Sequence, residues 1–254
     1  MLREERHREI VRLIEAEGRA TVSELARRLG VAQMTVRRDL DELDAQRLVR
    51  RVHGGALRSE GRVVAEPPVL ERVREQTAAK RRIAQAVARM VREGETIFLG
   101  SGSTTLAVAE ALAGRSNLTI VTNALTIAEA LAPNPSITVV VVGGFMRHSE
   151  LSLIGHLAEA ALRDIQVSKV VMGIAGIDVE FGLSSEHLQE LLTDRAILEI
   201  SDTVIIVADH TKFGRKAASR TAPVSAATMI VTDSEAPAGI VAELRRAGVE
   251  VILV

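Results

Sequence analysis

The sequence predicts an α/β chain in two parts, a small winged helix-turn-helix at the front and a Rossmann-like three-layer domain behind it. Three observations carry this. Two short amphipathic helical patterns meet at a glycine-containing turn and are followed by LVRRVHGGAL, which reads as two strands turning at Gly54 and Gly55. Farther on, seven short β-branched runs alternate with helical patterns. Between the two parts, residues 58–75 hold Gly61 and Pro67-Pro68 and show poor periodicity. The expected division is therefore a winged-helix head over 1–57, a linker over 58–75 and an α/β domain over 76–254.

In the head, Leu2, Ile10, Leu13 and Ile14 make one apolar helical stripe that ends near Gly18. Ser23 is placed to cap a short second helix carrying Leu25, Ala26 and Leu29, which Gly30 stops. A third helix is expected from about Ala32 to Gln46, with Val36, Leu40 and Leu43 stacked on one face. In the second part the strands are TIFL from Thr96, LTIV from Leu118, ITVVVV from Ile137, KVVM from Lys169, TVIIV from Thr203, TMIV from Thr228 and VEVILV from Val249. Runs that are apolar throughout suit a largely parallel sheet covered by helices on both faces.

The composition fits this plan. The chain has 254 residues, 47% hydrophobic and 26% charged, as in an ordinary globular protein, and its length leaves room for one large domain or for a large one plus a small one. The absence of cysteine excludes disulfides, thiolate metal sites, iron–sulfur clusters and a cysteine nucleophile. Four Phe and no Tyr or Trp argue against binding of single strands or RNA on stacked aromatic platforms. The richest apolar stretch, ITVVVVGGFM, is broken by Gly143 and Gly144, well short of the ~18 residues of a membrane span. No membrane partner is expected. MLREERHREI alternates Arg and Glu without an apolar block, so no secretory signal is expected and the expected compartment is the cytoplasm. Residues 1–57 carry a net charge of +2 and the remainder −3, which points weakly to nucleic acid at the front.

If Val36, Leu40 and Leu43 are buried, Met34 and Arg38 lie near the opposite face of the third helix, flanked by Thr35 and Arg37. Its later turns carry Asp41, Glu42 and Asp44, which phosphates would repel, so only the N-terminal half can enter a major groove. Gln33, Arg37 and Arg38 are the candidate base readers, because Arg reaches guanine and Gln reaches adenine bidentately. Arg50, Arg51 and His53 of the wing would sit beside the backbone or minor groove. The alternative is that Arg37 and Arg38 solvate a surface helix and pair with the nearby acids.

TVSELARRLGV, TVRRDLDEL and RRVHGGAL at these spacings resemble the winged helix-turn-helix of the DeoR family of bacterial transcription regulators. The resemblance implies a double-stranded DNA operator as partner. Ala32 departs from it, standing where the family often has Ser.

In FLGSGSTTLAVAEAL a strand, a small-residue turn and a helix follow one another. Ser101, Gly102, Ser103, Thr104 and Thr105 stand at the helix start, where N–H groups and hydroxyls suit a phosphate. The turn is also readable as a plain, well-capped connection. A dinucleotide fingerprint fails at Thr105 and at Asn123, where a ribose-binding acid is wanted, and no Gly-Lys-Ser/Thr follows for a Walker A loop. Thr122-Asn123, Gly143-Gly144 and Asp209 to Lys212 also follow apolar strands, where open parallel sheets bind ligands. Lys212 is one of only four lysines; it either meets a ligand or is solvated. No cofactor is expected, and the six histidines lack metal-ligand spacing, so His187 and His210 read as polar loop residues.

The resemblance continues from about Gln76 to Asp233 with the DeoR-type sensor domain, similar in fold to ribose-5-phosphate isomerase and CoA transferases. It carries over Ser101 to Thr105, Thr122-Asn123, Gly143 and Gly144 followed by Arg147, and Asp209 and Lys212, and implies a phosphorylated sugar or related intermediate as effector. Gly100, Ser168 and Asp194 depart from the family pattern. The reading is a non-enzymatic repressor of sugar or carbohydrate genes, acting as a homo-oligomer (dimer or tetramer) that joins DNA half-sites. The rival is a sugar-phosphate isomerase-like enzyme with a DNA-binding module; it needs a carboxylate base, for which Glu186 and Asp209 are available by sequence order.

Overall fold

In the computed structural model, which describes residues 3–45, 48–58 and 67–254, the chain divides into two units, 1–64 and 65–254. The first runs α1 (Arg3–Glu17), β1 (Arg19–Thr21), α2 (Val22–Leu29), α3 (Gln33–Ala45), β2 (Val49–Val52) and β3 (Gly55–Arg58). Ile10, Ile14, Leu25, Val36, Leu40 and Leu43 form its core, so the three helical stripes converge. Leu2 and Gln46, expected at the helix ends, lie outside the described residues.

The cap of α2 is Thr21 and not Ser23. Thr21 is extended (φ −85°, ψ 155°) where β1 ends, its hydroxyl accepts the Glu24 N–H at 3.2 Å, and its own N–H donates to Glu24 Oε2 at 2.9 Å. This reciprocal capping box fixes the helix start two residues earlier than expected. Gly30, in the left-handed region at φ 66°, ends the helix. β1 pairs with β3 and β3 with β2, in the order β1-β3-β2. The hairpin turns on His53 and Gly54 (φ 87°), while Gly55 serves another need: a Cβ there would lie 2.3 Å from the Ala20 carbonyl oxygen. The two glycines of HGGA thus answer to different constraints, turn conformation and close strand approach.

The second unit begins with α4 (Val69–Arg72) and α5 (Thr77–Met90), then β4 (Thr96–Leu99), α6 (Ser103–Leu112), β5 (Leu118–Thr122), α7 (Leu125–Leu131) and β6 (Ile137–Val141). A hairpin of β7 (Phe145–Arg147) and β8 (Ser152–Ile154) leads to α8 (His156–Leu162) and β9 (Lys169–Gly173). β10 (Gly176–Asp178), β11 (Gly182–Ser185), α9 (Leu191–Glu199), β12 (Val204–Val207), β13 (Ser219–Ala222), β14 (Met229–Thr232), α10 (Ala238–Arg246) and β15 (Glu250–Leu253) complete it. The seven expected strands are the seven of one parallel sheet, ordered β15-β14-β12-β9-β4-β5-β6.

Successive strand residues face opposite layers. Ile97, Leu99, Val171 and Ile205 pack with Ile83 of α5, Val108 of α6 and Ile127 of α7. Phe98, Val170 and Ile206 pack with Leu162 of α8, Ile197 of α9 and Leu244 of α10. Burial on both faces is why the strands lack polar alternation. Among the described residues, no helix is long and apolar enough to cross a membrane.

The expected 58–75 linker is shorter in the structure. Residues 59–66 lie outside the description, but α4 is packed in the second unit: Val69 and Arg72 are buried, and the Val69 N–H donates to the Ser149 carbonyl at 2.7 Å. Pro67-Pro68, read as a linker signal, instead precedes a short helix, a position where proline costs no hydrogen bond.

Gly55→Ala is expected to cost about 1–3 kcal/mol through overpacking against β1. A calorimetric melt in which the transition of the first unit does not move would contradict the close approach.

Candidate functional site

With Val36, Leu40 and Leu43 buried, α3 exposes Gln33, Met34, Arg37 and Arg38 on its first turns and leaves Thr35 half-buried. Ala32 precedes the helix; its carbonyl accepts the Thr35 and Val36 N–H groups, but its side chain offers no cap. Among the described residues, the side chains of Arg37 and Arg38 make no hydrogen bond or ion pair. The neighbouring acids are engaged elsewhere. Asp39 is buried and takes Arg6 Nε at 2.6 Å, Arg6 Nη2 at 2.9 Å and His7 Nε2 at 2.9 Å, tying α1 to α3. Burial pushes its carboxyl up, but the Arg6 and His7 hydrogen bonds outweigh this and hold it below its ordinary value. Glu42 pairs with Arg3, and Asp41 and Asp44 receive Arg51. The two helix arginines are thus left exposed, without a carboxylate partner among the described residues.

The wing residues divide. Arg50 and His53 are exposed, His53 at the hairpin tip. Arg51 is half-buried: its Nε donates to Asp41 at 2.9 Å, its Nη1 to the Gly55 carbonyl at 2.7 Å, and its backbone N–H to Asp44 at 2.8 Å. Expected beside a DNA backbone, it instead joins the wing to α3.

In the second unit the chain leaves β4 for β5 and β6 on one side, then returns to place β9 on the other. β4 and β9 are therefore a topological switch point, and in open parallel sheets the crevice at the carboxyl ends of such strands is where ligands bind. Ser101 and Gly102 turn here into α6, which starts at Ser103 with no side-chain cap. Ser103 and Thr104 are buried at the helix start, whereas the Thr105 hydroxyl turns back to the Gly102 carbonyl at 2.8 Å. Thr122 is engaged structurally, donating to Leu99 O and accepting from the Ala124 N–H. Asn123 is 2% exposed; its Nδ2 donates to Leu153 O at 3.2 Å and its buried Oδ1 has no partner. Gly143 is exposed. Gly144 (φ 152°) has a packing reason, since a Cβ would lie 2.7 Å from the Ile154 carbonyl oxygen.

Arg147, on β7, pairs with Glu190 and has a buried Nη2 without a partner. Asp209 is buried and caps the turn His210–Lys212, accepting the Thr211 N–H at 3.0 Å and the Thr211 hydroxyl. Lys212 is half-buried in that turn. His210 is more than a loop residue: its ring Nδ1 and backbone N–H both engage the fully buried Asp233, at 2.9 and 2.8 Å. With Glu235, these two side chains could approach one ion, yet the Asp233 oxygens already hold the His210 and Glu235 N–H groups.

Lys80 is a buried cation that the sequence reading did not single out. It is buried on α5, donates to the Arg72 and Glu75 carbonyls, and burial lowers its pKa while the charge of Asp209 opposes that. The available signal was a lysine at the head of the apolar stripe Ile83, Ala84 and Val87. Lys80 and Ser103 also line a cleft of about 520 Å³ between α5 and α6.

Beside the crevice lies a buried cluster of charges. Ser152 donates to Glu190 at 3.4 Å, Ser185 donates to Asp194 at 2.8 Å, and Arg72 pairs with Glu150. The Asp194 carboxyl is raised to about 7, by burial first and by the charge of Glu190 next, against the pull of Ser185 and Arg147.

An arginine-bearing helix and wing, followed in the chain by a parallel α/β domain with a polar mouth at its strand ends, is the make-up of a DNA-binding transcription regulator. Residues 6–61 match the DeoR-like helix-turn-helix domain and residues 75–234 the DeoR C terminal sensor domain. The chain belongs to the DeoR family. It is 35% identical over 240 residues to the glycerol-3-phosphate regulon repressor of Escherichia coli (strain K12), covering 94% of each. It is 38% identical over 233 residues to the transcriptional repressor AccR of Agrobacterium fabrum (strain C58 / ATCC 33970), covering 91% of this chain and 90% of that one. A solved structure, ribose 5 phosphate isomerase A from Neisseria gonorrhoeae, is similar at a TM-score of 0.40 and 19% identity over 54% of this chain and 53% of its own. That likeness is too slight to bear on function.

Asp194 gives a pH dependence of definite sign. Its folded pKa lies above the roughly 4 of an unfolded aspartate, so stability is lost as pH rises from about 4 to about 7. Asp194→Asn is expected to raise the melting temperature of the second unit increasingly across that window, with the gain level above it. Melts from pH 5 to 8.5 that show a constant offset would contradict the buried, protonated carboxyl.

Proposed function

We propose that this regulator represses genes of sugar or carbohydrate metabolism from the cytoplasm, as a homo-oligomer whose heads bind operator half-sites. Gln33, Met34, Thr35, Arg37 and Arg38 enter the major groove, and Arg50 and His53 lie along the backbone. The observation that carries this is the pair of arginines left unneutralised on the exposed first turns of α3 while every neighbouring acid is engaged. The effector is a phosphorylated sugar or a related phosphorylated intermediate held at the strand ends. The uncapped start of α6, the unpartnered Arg147 Nη2 and Asn123 Oδ1, and Lys212 suit an anion that carries hydroxyls. The name of the Escherichia coli relative makes glycerol 3-phosphate the first compound to try. An isomerase would need a carboxylate base beside its substrate; Asp209 is taken by Thr211, and Glu186 is paired with Arg215 through Oε1 while its buried Oε2 has no partner.

Binding to the DNA upstream of its own gene is expected to fall steeply with salt, and Arg37→Ala with Arg38→Ala to weaken it about 100-fold or more. Unchanged affinity in a titration of the double variant would remove the assignment. In a melting-shift screen of glycerol 3-phosphate and of pentose and hexose phosphates, one compound is expected to stabilise the second unit, by about 2.7 kcal/mol at 100 times its dissociation constant. Lys212→Ala and Ser103→Ala should each abolish that shift; a shift that survives both would place the pocket elsewhere.

A further inference from the structure

We propose that the buried Arg72–Glu150 ion pair is a positioning element that carries occupancy of the strand-end mouth to the chain segment leading toward the DNA-binding head. The proposal rests on the reading of that mouth as the effector site.

Arg72 belongs to α4, which closely follows residues 59–66 in the chain. It is 8% exposed, and its Nε donates to the Pro67 carbonyl at 2.9 Å. Lys80 donates to the Arg72 and Glu75 carbonyls, and the Val69 N–H to Ser149 O, so the segment from Pro67 to Glu75 is held at several points. Glu150 stands in the turn of the β7–β8 hairpin and is 5% exposed.

The body of the same hairpin reaches the mouth. Arg147 pairs with Glu190, Ser152 donates to Glu190, and Leu153 exchanges hydrogen bonds with Asn123 through its N–H (2.7 Å) and its carbonyl (3.2 Å). Two of the buried side-chain atoms without partners among the described residues bear on the hairpin: Arg147 Nη2 lies on it, and Asn123 Oδ1 belongs to a residue bonded to it. A ligand that engages both must load the hairpin. At the hairpin turn that load meets a buried ion pair, which is either closed or open, because a half-separated pair out of water is costly. Such an element has two discrete arrangements, and a ligand biases them only through unequal affinity.

The test has two arms. In the first, wild type, Glu150→Gln and Arg72→Lys are compared for binding of glycerol 3-phosphate, with inorganic phosphate as a second probe, and for the change each probe makes in affinity for the upstream DNA. The expected result is probe affinity within about threefold of wild type, with the probe-dependent change in DNA affinity reduced to near unity. A full probe response in both variants overturns the proposal. Should these variants not fold, Arg72→Met with Glu150→Leu replaces the pair by an apolar contact and gives the same readout.

The second arm needs no ligand. Hydrogen exchange at residues 69–73 is followed in Arg147→Met, a change that does not touch α4. Faster exchange than in wild type supports transmission along the hairpin, and unchanged exchange overturns it. If neither probe binds wild type, the reading of the mouth fails, and the exchange arm still decides whether the hairpin couples.

Discussion

A parallel sheet covered on both faces has no room for unpaired polar groups along its strands, and this constraint arranges most of the second unit. Ile97, Phe98 and Leu99 alternate between two apolar layers, so the chain can change to polar chemistry only where β4 ends, at Ser101. The same holds for β5 and β12, which give way to Asn123 and Asp209. Polar side chains from distant parts of the sequence are thus gathered at one edge, as a consequence of burying everything else. Most of the charges that end up out of water there are paired, Arg147 with Glu190, Arg72 with Glu150 and Glu186 with Arg215, while Arg147 Nη2, Asn123 Oδ1 and Glu186 Oε2 keep no partner. Asp194 has no cation of its own, and its raised carboxyl pKa is the outcome.

In the first unit charge is sorted in a comparable way. A net charge of +2 over residues 1–57 is a feeble attraction for DNA if spread evenly. It is not spread evenly. Asp39, Asp41, Asp44 and Glu42 are consumed by Arg6, His7, Arg51 and Arg3, all used for holding the helices and wing together. Arg37 and Arg38, on the first turns of α3, are among the arginines left without a partner in the described residues.

The sheet was legible because its evidence is local: each of the seven strands is a short, largely apolar and β-branched run, and no partner need be known to recognise it. The same is true of the buried stripe of α3. The short strands β1, β7, β8, β10, β11 and β13 were not legible, because residues such as Arg147, Ser152 and Ser185 gain their reason for being extended from Glu190 and Asp194, farther along the chain. The start of α2 was misplaced at Ser23 although Thr21-Val22-Ser23-Glu24 spells a capping box. Arg51 shows the limit most clearly, since composition and position suggested a phosphate contact and only the acids on the preceding helix reveal an internal tie. For the mouth, the strand ends could be read in advance, but Lys80 could not be assigned without knowing what α5 lies against.

The tie made by Arg51 has a mechanical meaning. It bonds the hairpin to the middle of α3, while Gly55 presses the same hairpin onto the strand whose last residue, Thr21, caps α2. Helix α3 and the flanking ribbon are therefore joined like the two halves of one die, by the Arg51 side chain. Any signal that loosens such a die from a double helix must change where it is held rather than how it is shaped.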